Sequence, residues 1–337
     1  MLGGAIKIEK ISKYQKLLKS FANRRAGWHA IFRLPGRFKK YYIYTKAILM
    51  KNRFLFLLLF AAPLCCVAKV VKVNLSDAIK DKWVSMDAIN FEGKYKGKTT
   101  NLKIANTSKN DLDVKVNLGI FLKPDDNSCQ PMLLAGGEQL TVKAGTTREV
   151  AVMTFCGNAP KHCPGKDLHY SFSHVGSDTL IKVLEYIRTN SLYDFLGQNA
   201  VWVMTNNHSL TDLYDDSRPG SAQALMEYII KLTGRKRPEY YTVQKDVEAP
   251  GQPAYVPKPL KIVAMFELRL DAPKTLTLGV FNDKGEMIQK VFEHKEFFAT
   301  GHRFEVEFEA ADVPPGKYYI RVKEYDQVIQ EKMVEVM

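Results

Sequence analysis

The apolar pattern of this 337-residue chain changes period after residue 177 and again after residue 259, and those changes limit what it can fold into. Over residues 101–105, 112–120 and 138–142 apolar and polar side chains alternate, and 147–155 is an apolar-rich run of similar length. A period of two places successive side chains on opposite faces, so these segments are expected to be strands with one buried face. The stretches 106–111, 123–128, 135–137 and 143–147 between them hold Asn, Asp, Ser, Pro or Gly, the residues that close turns. Past Ser177 the spacing becomes helical: Leu180, Ile181, Leu184 and Ile187 fall on one face, with Ser177 or Asp178 as cap. Two more apolar segments, 200–204 and 222–232, follow. From 263 to 336 the strand pattern returns in six segments, with Asn282-Asp283-Lys284-Gly285 and Pro314-Pro315-Gly316 as turns.

The expected fold is therefore mainly β with a helical insert: two antiparallel β-sandwiches flanking a small helical subdomain. The first sandwich is expected over 69–176, the helical part over 177–237 and the second sandwich over 260–337. Residues 238–259 carry five prolines and Gly251, which predicts an extended, stiff linker.

Ahead of the first strand stands a leader. Lys51 and Arg53 precede the apolar run 54–64, and Cys66 and Ala68 are the small residues before Lys69. This succession reads as a secretory signal peptide over 50–68, and its apolar run is short of the roughly 20 residues that span a bilayer. Residues 1–49 hold twelve basic side chains against the single acid Glu9. Translation from Met50 is the expected reading of that basic leader; a cytoplasmic tail ahead of an uncleaved anchor at 54–68 is the alternative.

Charge then removes a class of function. The chain has 49 basic and 36 acidic residues; without the 14 basic residues and one acid of 1–68, 35 stand against 35. A chain of zero formal charge lacks the electrostatic footprint of a nucleic-acid binder, whose affinity comes largely from neutralising phosphates.

Three cysteines follow the leader, Cys129, Cys156 and Cys163. Export makes a Cys156–Cys163 disulfide, closing a loop rich in Pro and Gly, the expected pairing, with free thiols as the alternative. The same stretch contains His162, His169 and His174, weak candidates for zinc ligands, because the cysteine spacing is not that of a paired knuckle. No Gly-x-Ser-x-Gly elbow, phosphate-cradling loop or dinucleotide fingerprint occurs, so neither catalysis nor a cofactor is expected. The acidic pairs Asp125-Asp126 and Asp215-Asp216 fall in turn-like contexts.

Two stretches carry resemblances. Val280-Phe281-Asn282-Asp283-Lys284-Gly285-Glu286-Met287-Ile288 and Val313-Pro314-Pro315-Gly316-Lys317-Tyr318-Tyr319-Ile320-Arg321-Val322 resemble the immunoglobulin-like C-terminal sorting domain of type IX secretion cargo, common in Bacteroidota. That likeness covers about residues 260–337 and implies export to the cell surface. Gly197-Gln198-Asn199-Ala200-Val201-Trp202 resembles the Thr-Gln-x-Ala-Ile-Trp stretch of bacterial surface thioester domains, in which a glutamine is joined to a cysteine and captures amines. Carried over, the pair is Gln198 with Cys156.

The leading expectation is an exported cell-envelope or surface protein, periplasmic, on the outer membrane or secreted, that binds or displays. Its partner is a protein or a glycan, and membrane contact is confined to the signal segment. A thioester-type covalent adhesin and a zinc or thiol-dependent enzyme are the alternatives.

Overall fold

The computed structural model describes residues 70–247 and 249–337, so the leader lies outside the described residues. The chain is mainly β with a small helical part, as the periodicity predicts. Among the described residues no helix is long and apolar enough to cross a membrane.

The first β region differs from the expected sandwich in how it closes. Strands β2 (Val84–Asn90), β3 (Gly97–Asn106), β8 (Thr147–Cys156), β6 (Met132–Leu134), β5 (Ile120–Pro124) and β9 (Leu168–Val175) form a closed antiparallel barrel in that order. Closure depends on β2 meeting β9, with Ala88 opposite Tyr170 and Asn90 opposite Leu168. Alternation cannot distinguish the two outcomes, since a sandwich and a barrel both bury one face of each strand; closure removes the free edges that an open sheet leaves. Leu102, Ile104, Leu122, Met132, Val152 and Tyr170 fill the interior. Beside the barrel, β1 (Val71–Asn74), β4 (Leu112–Lys115) and β7 (Gln139–Val142) make a small sheet in which β1 and β4 run parallel. A short helix, α1 (Leu75–Lys80), follows β1.

The insert contains α2 (Asp178–Thr189), α3 (Phe195–Thr205) and α4 (Pro219–Thr233), with a single 3-10 turn at Leu210–Asp212. Ser177 caps α2 by accepting from Leu180 N, and Leu180, Val183, Leu184 and Ile187 make its buried stripe. Asp194 caps α3, accepting from Leu196 N and Gly197 N. Pro219 opens α4, and Gly234 closes it at φ 70°, a left-handed conformation that glycine adopts without a Cβ penalty.

The C-terminal region is a sandwich. One sheet is β10 (Tyr240–Val243), β11 (Lys261–Arg269) and β14 (Gly301–Glu309); the other is β13 (Met287–Phe297), β12 (Lys274–Phe281), β15 (Gly316–Glu324) and β16 (Gln327–Val336). Ile262, Phe266, Leu278, Val280, Phe308 and Ile320 pack between them.

Residues 238–259 do more than link. Tyr240-Tyr241-Thr242-Val243 is a four-residue aromatic and β-branched run that pairs with β11 as the edge strand of the second sandwich. Downstream, the chain crosses an end of the barrel: Cys163 N donates to Gln252 O at 2.8 Å, Gly251 N donates to Cys163 O at 3.2 Å, and Ala254 is buried in the barrel core. The segment is thus tied by its backbone and by Ala254 to both β units, although Pro250, Pro253 and Pro257 themselves are exposed.

This sets an expected result for truncation. A fragment of residues 239–337 should retain slow amide exchange along β11, whereas 260–337 loses the β10 partner and about 1–3 kcal/mol, given roughly 0.5–1.5 kcal/mol net per hydrogen bond lost. Equal stability of the two fragments by urea denaturation would show that β10 contributes nothing to that sandwich.

Candidate functional site

Cys156 and Gln198, 42 positions apart, are in contact, through the main chain of one and the side chain of the other. Gln198 Oε1 accepts from Cys156 N at 2.9 Å, and Gln198 Nε2 donates to Cys156 O at 2.8 Å. The carboxamide thus acts as a peptide unit and rivets α3 to the end of β8, with both residues fully buried. The neighbouring residues extend the junction: Gly197 lies against the Leu192 carbonyl, and Asn199 Nδ2 donates to Asp212 O at 3.0 Å.

The Cys156 thiol points elsewhere, 3.7 Å from Met132 Sδ, and burial pushes its pKa well above the ordinary thiol range. No disulfide joins Cys156 to Cys163, which corrects the expected pairing. Cys163 Sγ contacts Val247 O at 3.6 Å, on the strap over the barrel end, while Cys156 faces into the core. Cys129 Sγ lies 3.9 Å from the Cys163 carbonyl, and burial raises its pKa as well. Alkylating reagents should therefore modify the buried Cys129 and Cys156 thiols slowly in the native state and fully in denaturant, with peptide mapping as the readout; a Cys156–Cys163 bridge found after denaturation would contradict the arrangement.

The histidines are dispersed among separate partners. His162 bridges to Cys129 and Pro253 along the backbone, His169 Nδ1 lies 3.3 Å from Asp87 Oδ2, and His174 stacks on Phe121 at 4.6 Å. Among the described residues no three His, Cys, Asp or Glu side chains gather to hold a metal, so the zinc candidates are not brought together. The acidic pairs serve turns: Asp126 Oδ1 accepts from Ser128 N, and Asp215 accepts from Ser217 N and from the Arg218 guanidinium.

The densest polar cluster surrounds Asp212, which sequence reasoning missed. The residue is 4% exposed. Oδ1 accepts from Thr242 Oγ1 at 2.7 Å, Gln244 Nε2 at 3.2 Å and Thr211 Oγ1 at 3.3 Å, and Oδ2 accepts from Tyr255 Oη at 3.2 Å. Asp212 thereby joins the insert to β10 and to the strap. A charge buried this deeply is stable only when hydrogen-bonded on several sides. Beside it, the His208 ring packs 4.2 Å from Tyr255 and 5.9 Å from Trp202, with Nδ1 3.7 Å from Asp212 Oδ2.

Burial lowers the His208 pKa below its ordinary 6.5, with Asp212 pulling the other way. A depressed histidine keeps its proton off in the fold while the unfolded chain binds it, so stability is full above 6.5 and falls as pH drops through that value toward the folded pKa. Replacing His208 by Gln should flatten this part of the stability–pH curve. An unchanged acid limb in thermal melts would exclude the histidine as its source.

Two cavities border the segment 235–239. The first, about 660 Å³, is lined by Arg235, whose donors are already committed to the Val203 and His208 carbonyls and to Asn207. The second is a cleft of about 620 Å³ between α4 and the outer face of the β10-β11-β14 sheet. Its floor follows from register: Tyr241 lies beside Val263, Met265 beside Glu305, and Glu267 beside Arg303. Met226 and Gln223 project from α4 opposite, and Tyr214 stacks on Tyr241 with ring centroids 5.5 Å apart. Burial, then the nearby Glu305 carboxylate, raises the Tyr214 pKa, which keeps its phenol protonated as a donor.

No known family model matches this chain, and no curated protein matches it. One solved structure that does is a β-glucosidase from Kluyveromyces marxianus, at 11% identity and a TM-score of 0.18 over 71% of this chain and 44% of that one. The chain thus spans less than half the length of that enzyme, and a likeness at this level carries no argument about fold or activity.

Proposed function

We propose that this is an exported binding protein of the cell envelope whose ligand sits in the cleft between α4 and the C-terminal sandwich. The cleft carries the reading: a concave site of about 620 Å³ formed by two structural units, with an apolar floor strip and polar side chains converging from its walls, matches the usual form of ligand sites. Export rests on the succession of basic, apolar and small residues from Lys51 to Ala68. The C-terminal sandwich supplies the floor of the cleft, which favours a ligand-binding module over a segment used only for sorting. Deleting 239–337 in the native host separates the two, because a sorting signal would leave the remainder trapped in the periplasm.

The test of the cleft is a blocked variant. Gln223→Trp places a large ring at the mouth from an exposed helix position. Capture of envelope material by the wild type and loss of that capture in the variant, at unchanged melting temperature, is the expected pair of results. Identical capture by both proteins would remove the cleft from consideration.

A second reading, an internal thioester, is favoured by the Cys156–Gln198 contact. In that reaction Cys156 Sγ attacks Gln198 Cδ, the C–N bond breaks and the amide nitrogen leaves as ammonia. The intact mass of exported protein would then be lower by one ammonia, and methylamine would open the thioester to an N-methylamide and a free thiol, leaving the protein one methylene heavier than with the intact glutamine. The rivet geometry, with both ends of the carboxamide bonded to the Cys156 backbone and the thiol turned to Met132, favours the intact glutamine.

A further inference from the structure

We infer that the cleft takes a neutral oligosaccharide, an assignment that rests on the cleft being the binding site. Charge balance is the first reason. Glu239, Glu267 and Glu305 face the cleft together with Arg237, Arg303 and Lys332, and Arg237 is already paired with Glu227. A strongly cationic or anionic ligand would meet like charges there as readily as opposite ones, which costs affinity.

The second reason is the type of polar group. Carboxylates, a guanidinium and the Gln223 carboxamide are planar and present two hydrogen-bonding atoms at fixed spacing. Adjacent hydroxyls of a sugar ring each donate and accept, so one planar group can engage two of them. Arg303 and Glu305 stand two residues apart on the outward face of β14, across from Glu267 and Met265, and form such a row along the floor.

The third reason is the surface between those groups. Met265 is the half-buried apolar side chain of the floor, with Val263 and Met226 buried beside it, and the Tyr214 ring, stacked on Tyr241 at 16° from parallel, borders it. The C–H face of a pyranose packs on surfaces of this kind. A peptide, by contrast, needs main-chain partners in register. The floor is the face of a sheet whose central strand, β11, is paired on both sides by β10 and β14, so its backbone groups are occupied.

The test records methyl resonances of Met226 and Met265 in the whole exported chain. The probes are neutral tetrasaccharides of glucose, galactose, mannose and N-acetylglucosamine, together with one peptide of alternating lysine and leucine. Saturable shifts of both methyls with at least one tetrasaccharide are expected. An Arg303→Ala/Glu305→Ala double variant, altered only at exposed positions, should weaken that binding about tenfold or more while its amide spectrum stays native. Shifts with the peptide alone would overturn the sugar and leave the cleft standing. No shift with any probe would overturn both, and full affinity in the double variant would overturn the sugar assignment.

Discussion

Gly197→Ala is expected to destabilise the protein by about 3 kcal/mol, although alanine at an ordinary helical position normally stabilises by about 1 kcal/mol relative to glycine. The reason is the approach of α3 to the turn before it. A Cβ on Gly197 would overlap the Leu192 carbonyl oxygen and come within 3.0 Å of the Phe155 ring, and the first of these is backbone. Leu192 cannot yield freely, because its amide donates to Ile187 O at the end of α2. Either α3 lifts from β8, which stretches the Gln198 rivet, or the turn distorts. Urea denaturation of the wild type and the variant decides the matter: a stability equal to or above that of the wild type would mean that α3 does not sit this close. Gln198→Ala supplies an independent check, since it leaves Cys156 N and O buried without partners, at about 1–3 kcal/mol for such a loss.

Asp212→Ala should have the larger effect, on the order of 3–5 kcal/mol, because it removes the acceptor from four donors, Thr211, Thr242, Gln244 and Tyr255, and leaves Thr242 and Gln244 only their mutual bond. Asp212→Asn keeps one acceptor oxygen and is expected to cost about half as much, so it stays measurable if the alanine variant fails to fold. The two substitutions also differ from a simple core defect in where the damage appears. Thr242 belongs to β10 and Tyr255 to the strap, so amide exchange should accelerate at Thr242 and along 249–255 before it does in the barrel strands. Uniform acceleration across the barrel would show that Asp212 is not the tie between these parts.

Much of the secondary structure is legible in the residues themselves. Alternation at 101–105 marks β3 and the apolar-rich run 147–155 marks β8, the Ser177 cap and the Leu180, Leu184 and Ile187 stripe mark α2, and Asn282 to Gly285 marks the turn between β12 and β13. Each depends on a local rule: side-chain period fixes which face is apolar, and caps and turns satisfy their own backbone groups within a few residues. The Cys156 and Gln198 pair is legible only as a resemblance, and the contact it points to is made by the Cys156 main chain instead of its sulfur.

What tertiary structure decides is partnership. Nothing in the pattern of β2 states that Ala88 will face Tyr170 and close a barrel, because alternation records a buried face and not its neighbour. Thr242, Gln244 and Tyr255 look like ordinary polar and aromatic residues of a proline-rich stretch until the fold brings them to Asp212, in a three-residue turn that carries no motif. The cleft arises the same way, from Met226 on a helix and Met265 on a strand, placed opposite each other by two units that each fold by their own period. Local sequence determined where the chain is strand, helix and turn. Long-range packing, whose loop-closure cost grows only logarithmically with separation and leaves no periodic trace in the chain, decided which surfaces meet.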